Sequence, residues 1–299
     1  MRMAAEKIQG RLAVLVALLT ALVSGEVVCG TWNLQWFPSG RAEHRAPKNV
    51  EEANISAAAG VIRTGLESAK ATGAILFFQE LRDESACVNL VAKVGHPKLS
   101  VAVVSAFREW DRRLGWQQCG IATTLPVIET SWSYWRHPQK VVPPRGYVYA
   151  VLDGGEQGLI ACFCLHLKSN YGAAKPEVRA LNARKREVAV AQIAELAKKI
   201  RTRDGRGVTH VVVAGDFNMD PYSGQFAGEK TCDLLKAVGF ATGWEGVALA
   251  RRGTHPSRGR YPDSTLDFIF HRGFAGAEEP TLGPVVPLSD HRMVWQRLK

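Results

Sequence analysis

The 299-residue sequence predicts an α/β domain in which two β-sheets pack face to face and helices cover the outside. Three observations predict it. Short apolar runs such as "AILFF" and Val211-Val212-Val213 recur in both halves of the chain, as buried strands do. A long helical stretch is inserted into each half, and a helix buries its apolar stripe against a sheet. No Pro/Gly/Ser-rich linker parts the halves, and 46% hydrophobic residues are enough for a full core.

The start of the chain reads as a targeting segment. Lys7 and Arg11 precede the apolar run Leu12 to Val23, and Ser24-Gly25 follow it. The run is shorter than the roughly 20 apolar residues of a membrane span, so residues 1–25 are expected to be a secretory signal. Residues 26–299 then form the exported domain, with no membrane span left and a monomer expected.

Within that domain "EVVCGTWNLQWF" predicts a first strand and "PSGRAEHRAPKN" a polar loop. Val50 to Ala69 has the apolar period of an amphipathic helix. "AILFF" is a buried strand, and "DESACVNLVAKV" a short helix whose leading acids suit the helix dipole. Five strands with Gly/Pro breaks follow: "LSVAVVSAF", "CGIATT", "VIETSWSYW", "YVYAVLD" and "GLIACFCLHL". Lys175 to Ile200 predicts a long charged helix, "THVVVAG" a strand, and Thr231 to Val238 a short helix. An Arg-rich loop from Arg251 to Arg260, the strand "LDFIF" and the closing stretch "PLSDHRMVWQRL" complete the order.

The six cysteines, Cys29, Cys87, Cys119, Cys162, Cys164 and Cys232, read as small core residues. Cys162 and Cys164 share a strand face at a spacing of about 6.6 Å, poor geometry for bridging each other. With His166 they resemble half a zinc site, but no second Cys/His pair with ligand spacing follows.

Polar residues stand where strands end. "AGDFNMDP" closes a buried strand with Asp216 and Asn218, two positions apart and so expected on one side. A turn is the ordinary explanation for such a stretch. Asn33, Glu80, His166, Asp267, Asp290 and His291 lie at comparable places. Glu80, Asp216, Asn218 and Asp267 offer only oxygen ligands, which suits Mg²⁺, Mn²⁺ or Ca²⁺ better than a thiolate-type zinc site. The histidines add proton-transfer or phosphate-binding capacity. Hydrolysis of a phosphate ester needs such parts.

"TWNLQW", "FFQELRD", "HLKSN", "AGDFNMDP", "STLDFIF" and "LSDHRMV", in this order, resemble the motifs of the endonuclease/exonuclease/phosphatase superfamily, the deoxyribonuclease I-like fold. The resemblance runs from Asn33 to His291 and is especially close to pancreatic-type deoxyribonucleases around "QELRD". It implies a four-layer α/β/β/α sandwich and a catalytic set of His166, Asp216, Asn218, Asp267 and His291. Glu80, with Asn33 and Asp290 beside it, would hold the metal. Asp216 would activate water, Asn218 and His291 would bind the phosphate, Asp267 would orient His291, and His166 would stand near the leaving oxygen. One departure stands out: where a glutamate partners the second histidine in pancreatic-type enzymes, this chain has Gln117 and Gln118.

Fold alone does not choose among nucleases, inositol-phosphate phosphatases and sphingomyelinases. The net charge of +10, still +8 once Arg2, Glu6, Lys7 and Arg11 leave with residues 1–25, favours nucleic acid. Substrate contacts are expected from Arg82, Lys168 and Asn170 and from Arg251, Arg252, Arg258 and Arg260. Against this, Trp132 and Tyr134 share a face in "SWSYWRHP", which as an exposed hairpin would suit a lipid phosphodiesterase. A binding protein that kept the fold without catalysis is the third reading. Serine-hydrolase chemistry is disfavoured, since no G-x-S-x-G turn accompanies Asp290-His291.

Overall fold

The computed structural model describes residues 25–299 except 42–44, 71–72, 258 and 260–261. The expected signal segment, apart from Gly25, and Arg258 and Arg260 therefore lie outside the described residues.

The strands are β1 (Val27–Phe37), β2 (Gly73–Leu81), β3 (Ser100–Val104), β4 (Gln118–Thr123), β5 (Val127–Tyr134) and β6 (Gly146–Asp153). They continue with β7 (Leu159–His166), β8 (His210–Asp216), β9 (Ala241–Thr242), β10 (Asp267–Arg272), β11 (Thr281–Leu282) and β12 (Val294–Leu298). Two six-stranded mixed sheets result, ordered β11-β12-β1-β2-β4-β3 and β5-β6-β7-β8-β10-β9. The α-helices are α1 (Lys48–Ala69), α2 (Glu84–Val94), α3 (Pro176–Lys198), α4 (Thr231–Lys236) and α5 (Leu249–Arg252).

Strand alternation explains the four layers. On β1, Val28, Trp32 and Leu34 point to one face, where they pack with Ala58, Ala59 and Ile62 of α1 and with Leu90 of α2. Val27 and Cys29 point to the other, where with Ile75 and Phe77 they meet Cys162, Cys164 and Val212 of the second sheet. Val190, Ile193 and Ala197 of α3 cover the far face of that sheet. All six cysteines are buried and free. Among the described residues no helix is long and apolar enough to cross a membrane.

Asp83 caps α2 by accepting the Ala86 N–H at 2.8 Å, and Gly95 ends it in the left-handed region. Part of the Arg-rich loop is the single turn α5. Trp132 and Tyr134 do share a face of β5, yet they form neither a core nor a free tip. Both are half-exposed and pack edge-on against the buried ring of Phe107 or tilted to it, each with ring centres 5.6 Å away.

Candidate active site

Strand register assembles the site. His166 on β7 lies opposite Asp216 on β8, which lies opposite Asp267 on β10, so three polar side chains end adjacent strands at one edge of the second sheet. Gly215 sets this end. Its φ is +145°, and a Cβ there would sit 1.9 Å from the Leu165 carbonyl oxygen. Only glycine lets β8 run this close to β7 before presenting Asp216.

On the facing sheet, alternation alone would send Glu80 outward with Leu76 and Phe78. The pairing of β2 with β4 shifts between Phe78 and Leu81, and Glu80 takes φ +60°. This irregularity turns its carboxylate into the space between the sheets. Five of the eight described non-glycine residues with positive φ line the cavity there: Gln35, Trp36, Glu80, Arg145 and Asn218. Strain of this kind persists only where surrounding bonds enforce it.

The cavity has a volume of about 220 Å³. Asn33 spans it, its Nδ2 donating to Glu80 Oε1 at 3.1 Å and to Asp216 Oδ2 at 2.9 Å. Its Oδ1 accepts the Gln35 N–H at 3.0 Å. Asn33, expected beside the metal, thus ties two carboxylates together, and its own oxygen accepts from the backbone. The Trp36 N–H donates to Glu80 Oε2 at 3.1 Å.

The strand ends at Asp216, and Asn218 joins it by a turn, not by strand alternation. The Asn218 N–H donates to Asp216 Oδ1 at 2.8 Å, and its Nδ2 donates to Oδ2 at 2.9 Å. The ordinary turn explanation and the convergence of the two side chains are both met by one Asx turn.

His291 faces this pair. Its Nδ1 is 2.8 Å from Asp267 Oδ2, and its Nε2 is 3.9 Å from Asp216 Oδ2 and 4.0 Å from Asp290 Oδ1. Burial disfavours the imidazolium, but Asp267 and Asp216 outweigh burial and push its pKa up to about 10. Burial, reinforced by Asp267 and opposed by His291, raises Asp216 to about 6. Burial also raises Glu80, against the hydrogen bond from Asn33. For Asp290 burial is outweighed by the His255 hydrogen bond and by the charge of His291, and its pKa falls.

His166 stands with Nε2 3.6 Å from both Glu80 Oε1 and Asp216 Oδ2. Its buried Nδ1 has no hydrogen-bond partner among the described residues. Gln117 does not replace the missing glutamate. Its Oε1 accepts from Arg145, whose other guanidinium nitrogens donate to the carbonyls of His166 and Leu167. Burial and the charge of Arg145 hold His166 well below the usual imidazole range, so it is neutral.

Arg145 and His255 are residues that sequence reasoning missed. Both line the cavity. His255 Nε2 is 3.7 Å from Asp290 Oδ2, and its ring meets that of His291 edge-on at 4.9 Å. Neither carries a local motif. Arg145 follows "VVPP" in a loop, and His255 falls inside the Arg-rich stretch whose charge drew attention instead.

The expected substrate-binding residues fare differently. Arg82 is committed to Glu51 at 2.8 Å and Asp83 at 3.0 Å, which ties β2 to α1 and α2. Arg252 donates to Thr265 Oγ1 at 2.7 Å and to the Val247 carbonyl, and lies 4.0 Å over the ring of Tyr222. Arg251 pairs with Glu279 at 2.9 Å. Asn170 donates to the Asn218 carbonyl at 2.8 Å and accepts from buried Arg186, so it braces the Asx turn from behind. Lys168 Nζ is held by Ser169. None of these five lines the cavity. Arg82, Arg251, Arg252 and Asn170 each have a partner that only the fold brings near, while Lys168 is held by its neighbour in the chain.

Two acid and imidazole sets have ligand atoms within 4.8 Å of one another: His255, Asp290 and His291, and Asp216, Asp267 and His291. His291 belongs to both sets, and with its Nδ1 on Asp267 and its pKa raised it is a donor in this structure. Glu80 is in neither set, but it lines the same cavity as Asp216 and Asp290, and the carboxylate oxygens of these three suit the chemistry of a hard divalent cation. A larger groove of about 660 Å³ between α1 and β12 shares no residue with this cavity.

The fold is shared with solved structures. Endonuclease/exonuclease/phosphatase from Beutenbergia cavernae DSM 12333 aligns with a TM-score of 0.60 at 15% identity, over 92% of this chain and 71% of its own. Sphingomyelinase C from Streptomyces griseocarneus aligns at 0.58 and 17% identity, over 92% and 99%. Truncated TDP2 from Caenorhabditis elegans aligns at 0.57 and 13% identity, over 92% and 99%. No curated protein matches the chain. The family model for "Endonuclease/Exonuclease/phosphatase family" matches residues 30–291, a span that takes in every residue of the cavity. The chain belongs to that family, whose members are phosphoric ester hydrolases that use divalent metals.

Proposed function

We propose that this chain hydrolyses phosphodiester bonds of DNA or RNA with Mg²⁺, or Mn²⁺ or Ca²⁺ in its place, as an exported monomer. One observation carries the reading: Asp216, buried and with a pKa near 6, lies between an imidazolium and a carboxylate suited to a cation. Glu80 and Asp290 would hold the ion, which would supply charge neutralisation at the phosphoryl oxygens and the leaving group. Asp216 takes the proton of the attacking water, since a base titrating near the working pH combines availability with driving force. His291 Nε2 donates to the phosphoryl oxygens as charge builds, Asp267 keeps its ring aimed, and Asn218 Nδ2 joins it by giving up its 3.2 Å bond to the Leu167 carbonyl. His166, neutral and without an acid on Nδ1, donates or accepts a hydrogen bond without supplying charge.

Nucleic acid as substrate is supported by the net charge of +10, or +8 without residues 1–25, which draws a polyanion to the cavity. The test is one panel: residues 26–299 with each of the three metals, offered plasmid DNA, RNA, sphingomyelin and inositol phosphates. Cleavage of plasmid or RNA is expected. Turnover of sphingomyelin or inositol phosphates alone would replace this reading, and no turnover of any ester would make the chain a binding protein.

A further inference from the structure

We infer that the hairpin at residues 107–116 is a stacking platform for unpaired bases flanking the scissile phosphate. This rests on the nuclease reading above and adds to it a preference for single strands.

The hairpin is built to hold its position. Arg108 bridges to Leu114, the Glu109 N–H donates to the Arg113 carbonyl at 2.9 Å, and Arg112 turns the chain at φ +66°. At its base Phe107 is buried against Trp132 and Tyr134, and the Arg108 N–H donates to the Tyr134 hydroxyl at 2.7 Å. On this anchored frame Trp110, at the tip, is 95% exposed. A rigid mount that presents a bare indole does not serve the core.

The platform is continuous with the cavity. Trp36 lines the cavity and meets Trp116 edge-on at 6.4 Å, and Trp116 is itself 45% exposed. The Trp36–Trp116 pair therefore joins the cavity to the hairpin, on which Arg108 and Arg112 are exposed and Arg113 is exposed but paired with Asp111 at 2.6 Å. Rings interleaved with guanidinium groups suit a flexible strand, whose bases stack and whose phosphates pair. A duplex keeps its bases stacked on one another and cannot offer these faces. A lipid surface is disfavoured by the tip itself, because Glu109 and Asp111 flank Trp110 and would enter the acyl region with it.

Binding is measured apart from turnover, by fluorescence anisotropy of a labelled oligothymidylate of about 20 nucleotides with the full chain in EDTA. The oligothymidylate should bind more tightly than a duplex of equal length. Trp110→Ala should weaken it by about fivefold or more, and Trp110→Tyr should keep most of the affinity. Arg112→Ala should lower the salt slope by about 0.7, as loss of one phosphate contact on a single strand does. Unchanged oligothymidylate binding in Trp110→Ala, or an equal loss on duplex, overturns the platform. So does a Trp110→Ala defect confined to phosphatidylcholine vesicles, which would mark a membrane contact instead. Cleavage of the same oligonucleotide with metal separates the two claims. A chain that binds through Trp110 but cuts no nucleic acid loses the nuclease reading and keeps the platform, and one that cuts while ignoring Trp110 does the reverse.

Discussion

Asp216 meets three donors at once, the Asn33 and Asn218 side-chain amides and the Asn218 N–H. An asparagine there can still accept the Asn218 N–H and keep the turn, but it cannot take a proton. Asp216→Asn is therefore expected to fold and bind substrate while losing more than tenfold in kcat, a barrier increase above about 1.4 kcal/mol. Steady-state kinetics on plasmid and on a small diester decide it. Glu80→Gln should lose activity that rising metal concentration partly restores, since it weakens an ion site and leaves the base in place. His291 gives a separate test through stability. Its folded pKa, raised to about 10 from 6.5, means that its charge stabilises the fold fully below pH 6.5 and ceases to as pH rises through about 10. Urea midpoints of metal-free wild type and His291→Gln should converge across that window. A gap that stays constant from pH 6 to about 10.5 would show that the imidazolium contributes nothing there.

At the scale of elements, the site depends on where strands stop or slip. The bulge on β2 reverses the side that Glu80 faces, and the close passage of β7 and β8 at Gly215 delivers Asp216. An alanine at 215 would force its Cβ against a backbone carbonyl that a neighbouring strand holds in place. Gly215→Ala is expected to cost about 3 kcal/mol or more by urea unfolding, with activity falling further than stability alone explains. A variant with wild-type midpoint and turnover would mean that β8 has room to shift.

At the scale of the molecule, the chain separates charge that steers from charge that braces. Of the basic residues expected at the substrate, Arg82 and Arg252 hold helices and loops together, while Arg112 at the turn of the 107–116 hairpin stands exposed. Export belongs to this scale too. The short apolar run at the start of the sequence predicts a mature chain beginning at Glu26. N-terminal sequencing of protein from the native host should return that residue, and an intact Met1 on cytosolic protein would end the claim.

The two-sheet class, the helices and the positions of Glu80, His166, Asp216, Asp267 and His291 were legible in the sequence, because apolar periodicity marks strands and polar residues at their ends break it. The partners of Arg82, Arg252 and Asn170 were not legible. Ion pairs and hydrogen bonds form between residues far apart in the chain, and a charge count cannot show which cations are already taken. Arg145 and His255 escaped for the same reason: each reaches the cavity from a loop without periodicity. The sequence by itself determined which groups could do the chemistry and which end of the sheets would carry them. Only the tertiary structure decided that Asn33 meets carboxylates from two other strands, because those strands are far from it in the chain, and that Glu80 faces inward, because a backbone irregularity at positive φ turns it there and no local pattern encodes that.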